Sequence, residues 1–101
     1  MDLRWEFEAD LWLWTARADV WTFVSLPAEV SEEVADSMLT PPRGFGSVPV
    51  VVEIGSSRWS TSVFPDAGRG VYIMPVKKAV RVREGVDVGD VVTVAIELDT
   101  R

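Results

Sequence analysis

The stretch Arg43-Gly44-Phe45-Gly46-Ser47-Val48-Pro49-Val50 leads from a glycine-bearing loop into a run where Val48, Val50, Val52 and Ile54 alternate with Pro49, Val51 and Glu53. A period of two places one set of side chains on each face of a strand. Gly55-Ser56-Ser57 then turns the chain, and a return strand passes through Trp59, Thr61 and Ser62 to Phe64-Pro65. The middle of the chain therefore reads as a β-hairpin.

Working outward, the same period recurs. Between residues 3 and 13, Leu3, Trp5, Phe7, Leu11 and Leu13 are apolar while Glu6, Glu8 and Asp10 are charged, which predicts one long strand. At Trp12 and Trp14 the opposite face also turns apolar, so the far end of that strand is covered on both sides or carries a bulge. Residues 15–20 read as a loop, and Trp21-Thr22-Phe23-Val24-Ser25 as the returning partner. Beyond the centre, Val71-Tyr72-Ile73-Met74 is a strand, and after Gly89-Asp90 a last strand directs Val92, Val94, Ile96 and Leu98 inward.

Two helical pieces interrupt the strands. Pro27 suits a first helical position, Val30, Val34 and Met38 form a stripe at four-residue spacing, Glu32, Glu33 and Asp36 face water, and Thr40-Pro41-Pro42 ends the helix. Val76, Ala79 and Val80 lie on one side of a shorter helical turn with Lys77, Lys78 and Arg81 on the other, and Gly85 stops it. The expected fold is mainly β: a single domain over residues 1–101, built as a small closed or pseudo-closed six-stranded, mostly antiparallel barrel with one helix of about three turns and one short helical turn. Closure removes the exposed edges that an open sheet presents. Trp5, Phe7, Val50, Val52, Val92, Val94 and Ile96 are its expected core.

Composition excludes much chemistry. The chain has no Cys and no His, which removes disulfides, thiolate nucleophiles, the usual transition-metal ligands and any Ser-His-Asp triad. No cofactor fingerprint or metal set is legible, and no catalytic residue is assigned; an enzyme would have to be of an unusual kind without His or Cys. Alternate residues on a strand lie about 6.6–6.8 Å apart, too far for Glu6, Glu8 and Asp10 to converge on one cation, so they read as a solvated face. Thr61 and Ser62 would need Lys as an activating base and read as ordinary strand hydroxyls. Five Trp in 101 residues must be mostly core, because soluble monomers seldom expose large apolar patches; one or two are left for a binding surface. The absence of a basic start followed by an apolar core, and of any long apolar run, predicts a soluble cytoplasmic protein with no membrane contact.

Net charge is −6, yet residues 43–83 carry a local +5 and the remainder −11. Internal neutralisation explains this most simply. A functional reading places a binding site beside the 43–47 loop. Arg43 would fix an anionic group, Gly44 and Gly46 would allow close backbone approach, Ser47 would orient the ligand, and Lys77 would be a second cation. Phe45 belongs to the same loop, with Trp59, Phe64 and Tyr72 as walls. The expected partner is a small anionic ligand or a protein, bound by a monomer or homodimer. The competing structural account has Phe45 plugging the barrel and Arg43 pairing with an acid such as Glu29 or Glu33.

Several spaced clusters carry a family resemblance: Leu11-Trp12-Leu13-Trp14, Trp21 with Phe23-Val24 and Leu26-Pro27, and Arg43 to Val50. Trp59, Thr61-Ser62, Phe64-Pro65, Gly70, Tyr72, Pro75-Val76-Lys77-Lys78, Arg81 and Gly89-Asp90 extend it over nearly the whole chain. Together they resemble the small bacterial and archaeal family called domain of unknown function 1905. The resemblance implies a double-split β-barrel, an architecture shared with AbrB-like transcription regulators and antitoxins, and brings no catalytic residues. By that analogy Lys77, Lys78, Arg81 and Arg83 would contact a DNA backbone, an alternative that the acidic balance makes unfavourable.

Overall fold

The computed structural model of the protein describes residues 3–16, 19–37 and 46–99. Among these lie seven strands, β1 (Arg4–Asp10), β2 (Trp12–Ala16), β3 (Asp19–Ser25), β4 (Val48–Ile54), β5 (Ser57–Asp66), β6 (Val71–Pro75) and β7 (Val91–Leu98), and two helices, α1 (Ala28–Asp36) and α2 (Lys78–Glu84). The strands form one sheet in the order β1-β7-β4-β5-β6-β3-β2, with every neighbouring pair antiparallel.

The expected mainly-β, barrel-like class holds, but the closed or pseudo-closed six-stranded barrel is corrected to a seven-stranded half-barrel. The extra strand arises at Leu11, where the long first strand divides. The Leu11 side chain is buried, its N–H donates to the Asp90 carbonyl at 2.9 Å, and its carbonyl accepts from Gly89 N–H at 2.8 Å. Pinned there by the turn before β7, the chain changes partner: β1 pairs with β7, whereas β2 pairs with β3. The two ends of the sheet are thus consecutive in sequence. The sheet curls so that its edges meet at a covalent corner, and no ladder closes the gap between β1 and β2.

The inward residues follow the predicted alternation. Phe7, Val50, Val52, Val92, Val94 and Ile96 are buried, while Trp5 is only partly covered and packs against that core. Glu6, Glu8 and Asp10 are exposed. The hairpin of β2 and β3 is tighter than the expected loop over residues 15–20, because pairing continues to Ala16 and Asp19.

Helix α1 begins at Ala28, with Pro27 extended at the N-cap rather than inside the first turn. Val34 is fully buried and Val30 packs beside it; Met38 and the expected stop at residues 40–42 lie outside the described residues. The stripe also contains a residue its apolar spacing did not reveal. Ser31 is buried, and its Oγ accepts a hydrogen bond from Tyr72 N–H at 3.1 Å, docking α1 on β6. Helix α2 is longer than expected and stops where Gly85 adopts a left-handed φ of 67°. Val86 N–H closes back on the Arg81 carbonyl at 3.0 Å, the geometry of a Schellman cap. Val76 and Val80 are buried but Ala79 is not.

Candidate ligand-binding cleft

Strand β6 is the hinge of the site. Its Ile73 is paired on both sides, with Phe64 of β5 and Ser25 of β3. Two residues on, Pro75 pairs only with Phe23, and proline cannot donate to a further ladder. The chain then leaves the sheet through Val76, whose N–H still reaches the Thr22 carbonyl at 2.9 Å, and enters α2. Residues 60–62 of β5 consequently face β3 across a gap that no strand fills among the described residues.

A cavity of about 640 Å³ opens at this gap. Trp14, Trp21, Phe23 and Phe64 wall it, with Pro49 and Pro75 between them, and Ser60, Thr61, Ser62 and Asp99 supply its polar groups. A second lobe of about 550 Å³ shares Trp21, Ser60, Thr61 and Pro75 and runs on past Trp59 to Lys77, Lys78 and Arg81. One end of the cleft is therefore aromatic and the other cationic.

The aromatic wall is ordered by packing within the hairpin of β2 and β3. Phe23 stacks on Trp12 at 5.3 Å between ring centres and on Trp21 at 6.3 Å, and meets Trp14 edge-on at 6.3 Å. Trp12 is committed to structure. Its Nε1 donates to Ser25 Oγ at 3.0 Å, and the Arg69 guanidinium covers its ring at 3.8 Å, itself paired with Asp66 at 2.8 Å. Trp14 and Trp21 remain 39% and 50% exposed. The expectation that most of the five Trp are core is corrected: none is fully buried, and only Trp5 and Trp59 pack against the core while part-exposed.

The charge excess of the middle segment is partly neutralised. Arg58 pairs with Glu53 at 2.8 Å and with Glu97 at 2.6 Å, which raises its own pKa chiefly through the Glu97 hydrogen bond. Glu53 also accepts from Arg4 at 3.1 Å. Those guanidiniums hold its carboxyl below the usual range, the Arg4 bond contributing most. Asp66 is lowered likewise by Arg69. Arg81 spends its side chain on the Val76 carbonyl at 3.2 Å and Asp87 at 3.4 Å. Lys77, Lys78 and Arg83 make no ion pair among the described residues.

The residues expected to form the site are only partly brought together. Phe64 and Lys77 line the two lobes, and Trp59 lines the cationic one while packing against the core. Tyr72 lies elsewhere, in a pocket under α1. Arg43, Gly44 and Phe45 fall outside the described residues. The loop's described end, Gly46 and Ser47, adjoins the aromatic lobe: a Cβ on Gly46 would meet Pro65 Cγ at 3.2 Å, next to Phe64. Trp14 and Trp21 were not singled out as site residues, although the apolar character of both strand faces at Trp12 and Trp14 was the signal that could have found them.

Comparison with known proteins adds a family and nothing about activity. No curated protein matches the chain. The family model described as "Domain of unknown function (DUF1905)" matches residues 7–96. Since that match spans β1 to β7 without a break, the chain belongs to the DUF1905 family.

Proposed function

We propose that the domain is a non-catalytic binding module whose cleft takes a small ligand combining a flat apolar body with an anionic group. A single observation carries this reading: the part-exposed rings of Trp14, Trp21 and Phe64 wall a cavity that adjoins, through the shared residues Trp21, Ser60, Thr61 and Pro75, a second one edged by Lys77 and Lys78, whose ammonium groups make no ion pair among the described residues. Ligand sites usually combine apolar walls with a few placed polar groups, and hydroxyls at residues 60–62 supply those groups between the two ends.

Amide chemical-shift mapping tests it, with benzoate, phenyl phosphate, indole-3-acetate, acetate and inorganic phosphate as probes. Shifts clustered at Trp21, residues 60–62 and Lys77, and lost in Lys77→Ala/Lys78→Ala with the fold intact, support the reading. An unresponsive cleft across the panel overturns it.

A second reading, a DNA-binding regulator, draws on Lys77, Lys78 and Arg83, which lie on and beside one short helix and make no ion pair among the described residues. Backbone contacts would have to overcome a net charge of −6. Fluorescence anisotropy with mixed duplexes at low salt separates the two readings, because micromolar binding that weakens steeply with salt belongs only to the regulator.

A further inference from the structure

The two edges of the sheet are protected differently. On β1, the edge beyond β7, Arg4, Glu6, Glu8 and Asp10 are charged and exposed. On β2, the opposite edge, the sequence Trp-Leu-Trp-Thr-Ala carries no charge and no proline. Unpaired backbone groups on an edge are a template for another strand, and natural edges are usually blunted by charge, proline or a bulge. The β2 edge has none of these devices.

The hairpin behind that edge is also apolar on both faces. Trp14 pairs opposite Trp21 on one face, and Leu13 and Val20 lie on the other, opposite Thr22 and Thr15. Leu13 is 50% and Val20 64% exposed. Only the far end of the ribbon, at Leu13, Trp14, Val20 and Trp21, is exposed on both faces; nearer the sheet Thr22 and Val24 are buried and β3 is held by β6.

From these two observations we infer that β2 pairs antiparallel with β2 of a second copy, joining two sheets across a two-fold axis. The occupant is another copy because of how charge is distributed. An isologous contact uses one surface twice, and an uncharged strand does so without apposing like charges. The same operation on β1 would set Glu6, Glu8 and Asp10 against their own counterparts in a chain of net charge −6. Pairing about Trp14 brings Leu13 of each copy beside Thr15 of the other, and it satisfies an edge that no strand pairs among the described residues. The addition lies in the plane of the sheet, so the cleft face stays open and the two aromatic walls become neighbours.

Sedimentation velocity on the full chain from micromolar to several hundred micromolar tests the pairing. The expected species is twice the 11.2 kDa chain. Leu13→Lys would set the same positive charge of both copies diagonally across the two-fold axis, and Thr15→Pro would remove a ladder donor. Each is expected to raise the dimer dissociation constant by about tenfold or more while leaving circular dichroism unchanged. Val82→Lys, on an α2 side chain 70% exposed, is expected to leave the dimer intact. Amide exchange in the unaltered protein supplies a readout that no variant can confuse: Leu13 and Thr15 amides should slow as concentration rises. A species at the chain mass throughout, β2 amides indifferent to concentration, or a dimer that both edge variants leave unchanged would each overturn the inference. Capture of a different protein on a β2 edge that stays monomeric would do the same.

Discussion

Glu84 occupies the space that a side chain on Gly55 would need: a Cβ built on Gly55 would run into Glu84 Oε1. This contact ties the end of α2 to the hairpin of β4 and β5. The Ser57 hydroxyl donates to Glu84 Oε2 at 2.6 Å, the Ser56 hydroxyl at 3.1 Å, and Ser56 N–H reaches Oε1 at 3.3 Å. Gly55→Ala should therefore cost more than backbone strain alone. Gly55 and Gly85 share nearly the same left-handed conformation, φ 57° and 67°, but a Cβ on Gly85 would meet nothing within 4 Å. Gly85→Ala is expected to lose about 1–2 kcal/mol, the usual cost of left-handed geometry. Gly55→Ala should lose that plus the carboxylate's hydrogen bonds, so urea unfolding should rank Gly55→Ala clearly the less stable.

The same carboxylate makes stability depend on pH. Its three bonds, the Ser57 hydroxyl foremost, hold Glu84 below its ordinary value of 4.5. A depressed carboxyl contributes stability above the unfolded pKa, and that contribution disappears as pH falls through the folded value. Glu84→Gln should therefore be less stable than the parent at pH 7 and approach it as pH drops below the ordinary carboxylate range. Thermal melts of both proteins across pH 7 to pH 3 check this; parallel curves would refute it.

Ser31 makes the analogous link at the other helix. Because its Oγ accepts from Tyr72 N–H and the residue is buried, Ser31→Ala leaves a strand donor without its partner. A loss of about 1–3 kcal/mol is expected, and amide exchange should accelerate at Tyr72 more than at Val24, whose strand keeps its ladder.

How much of this was legible in the sequence depended on whether the signal was periodic. The alternation at Val48, Val50 and Val52 and at Val92, Val94 and Ile96 reports burial on one face of a strand, and those residues are core. The change of pattern at Trp12 and Trp14 signalled an irregularity but not a change of partner, because Leu11 keeps the apolar character of its parity; its bonds to the turn at Gly89 and Asp90 show that the strand has ended. Ser31 and Glu84 were missed for a related reason, since each satisfies backbone or hydroxyl groups far away in sequence and leaves no local pattern. In the cleft, ring chemistry pointed to Trp59, Phe64 and Tyr72, but placement depends on where β6 leaves the sheet. That is set by Pro75 and Val76, and it puts Tyr72 on the far side.

The rings also provide the sharpest test of the cleft. Trp21 is half exposed and touches the core side of the fold little, whereas Trp59 is partly buried and packs against the core. Truncating an aromatic that supports a core typically costs about 3–5 kcal/mol, less where the ring is partly wet; an exposed ring costs far less. Trp59→Ala should therefore destabilise by roughly 2–3 kcal/mol, and Trp21→Ala by under about 1 kcal/mol. The order for ligand binding is reversed at the aromatic end. Phenyl phosphate should lose most of its chemical-shift response in Trp21→Ala, whereas inorganic phosphate, which has no ring to place, should respond alike in the parent and the variant. If Trp21→Ala unfolds the domain while Trp59→Ala does not, Trp21 is a structural ring and the aromatic wall has been misassigned.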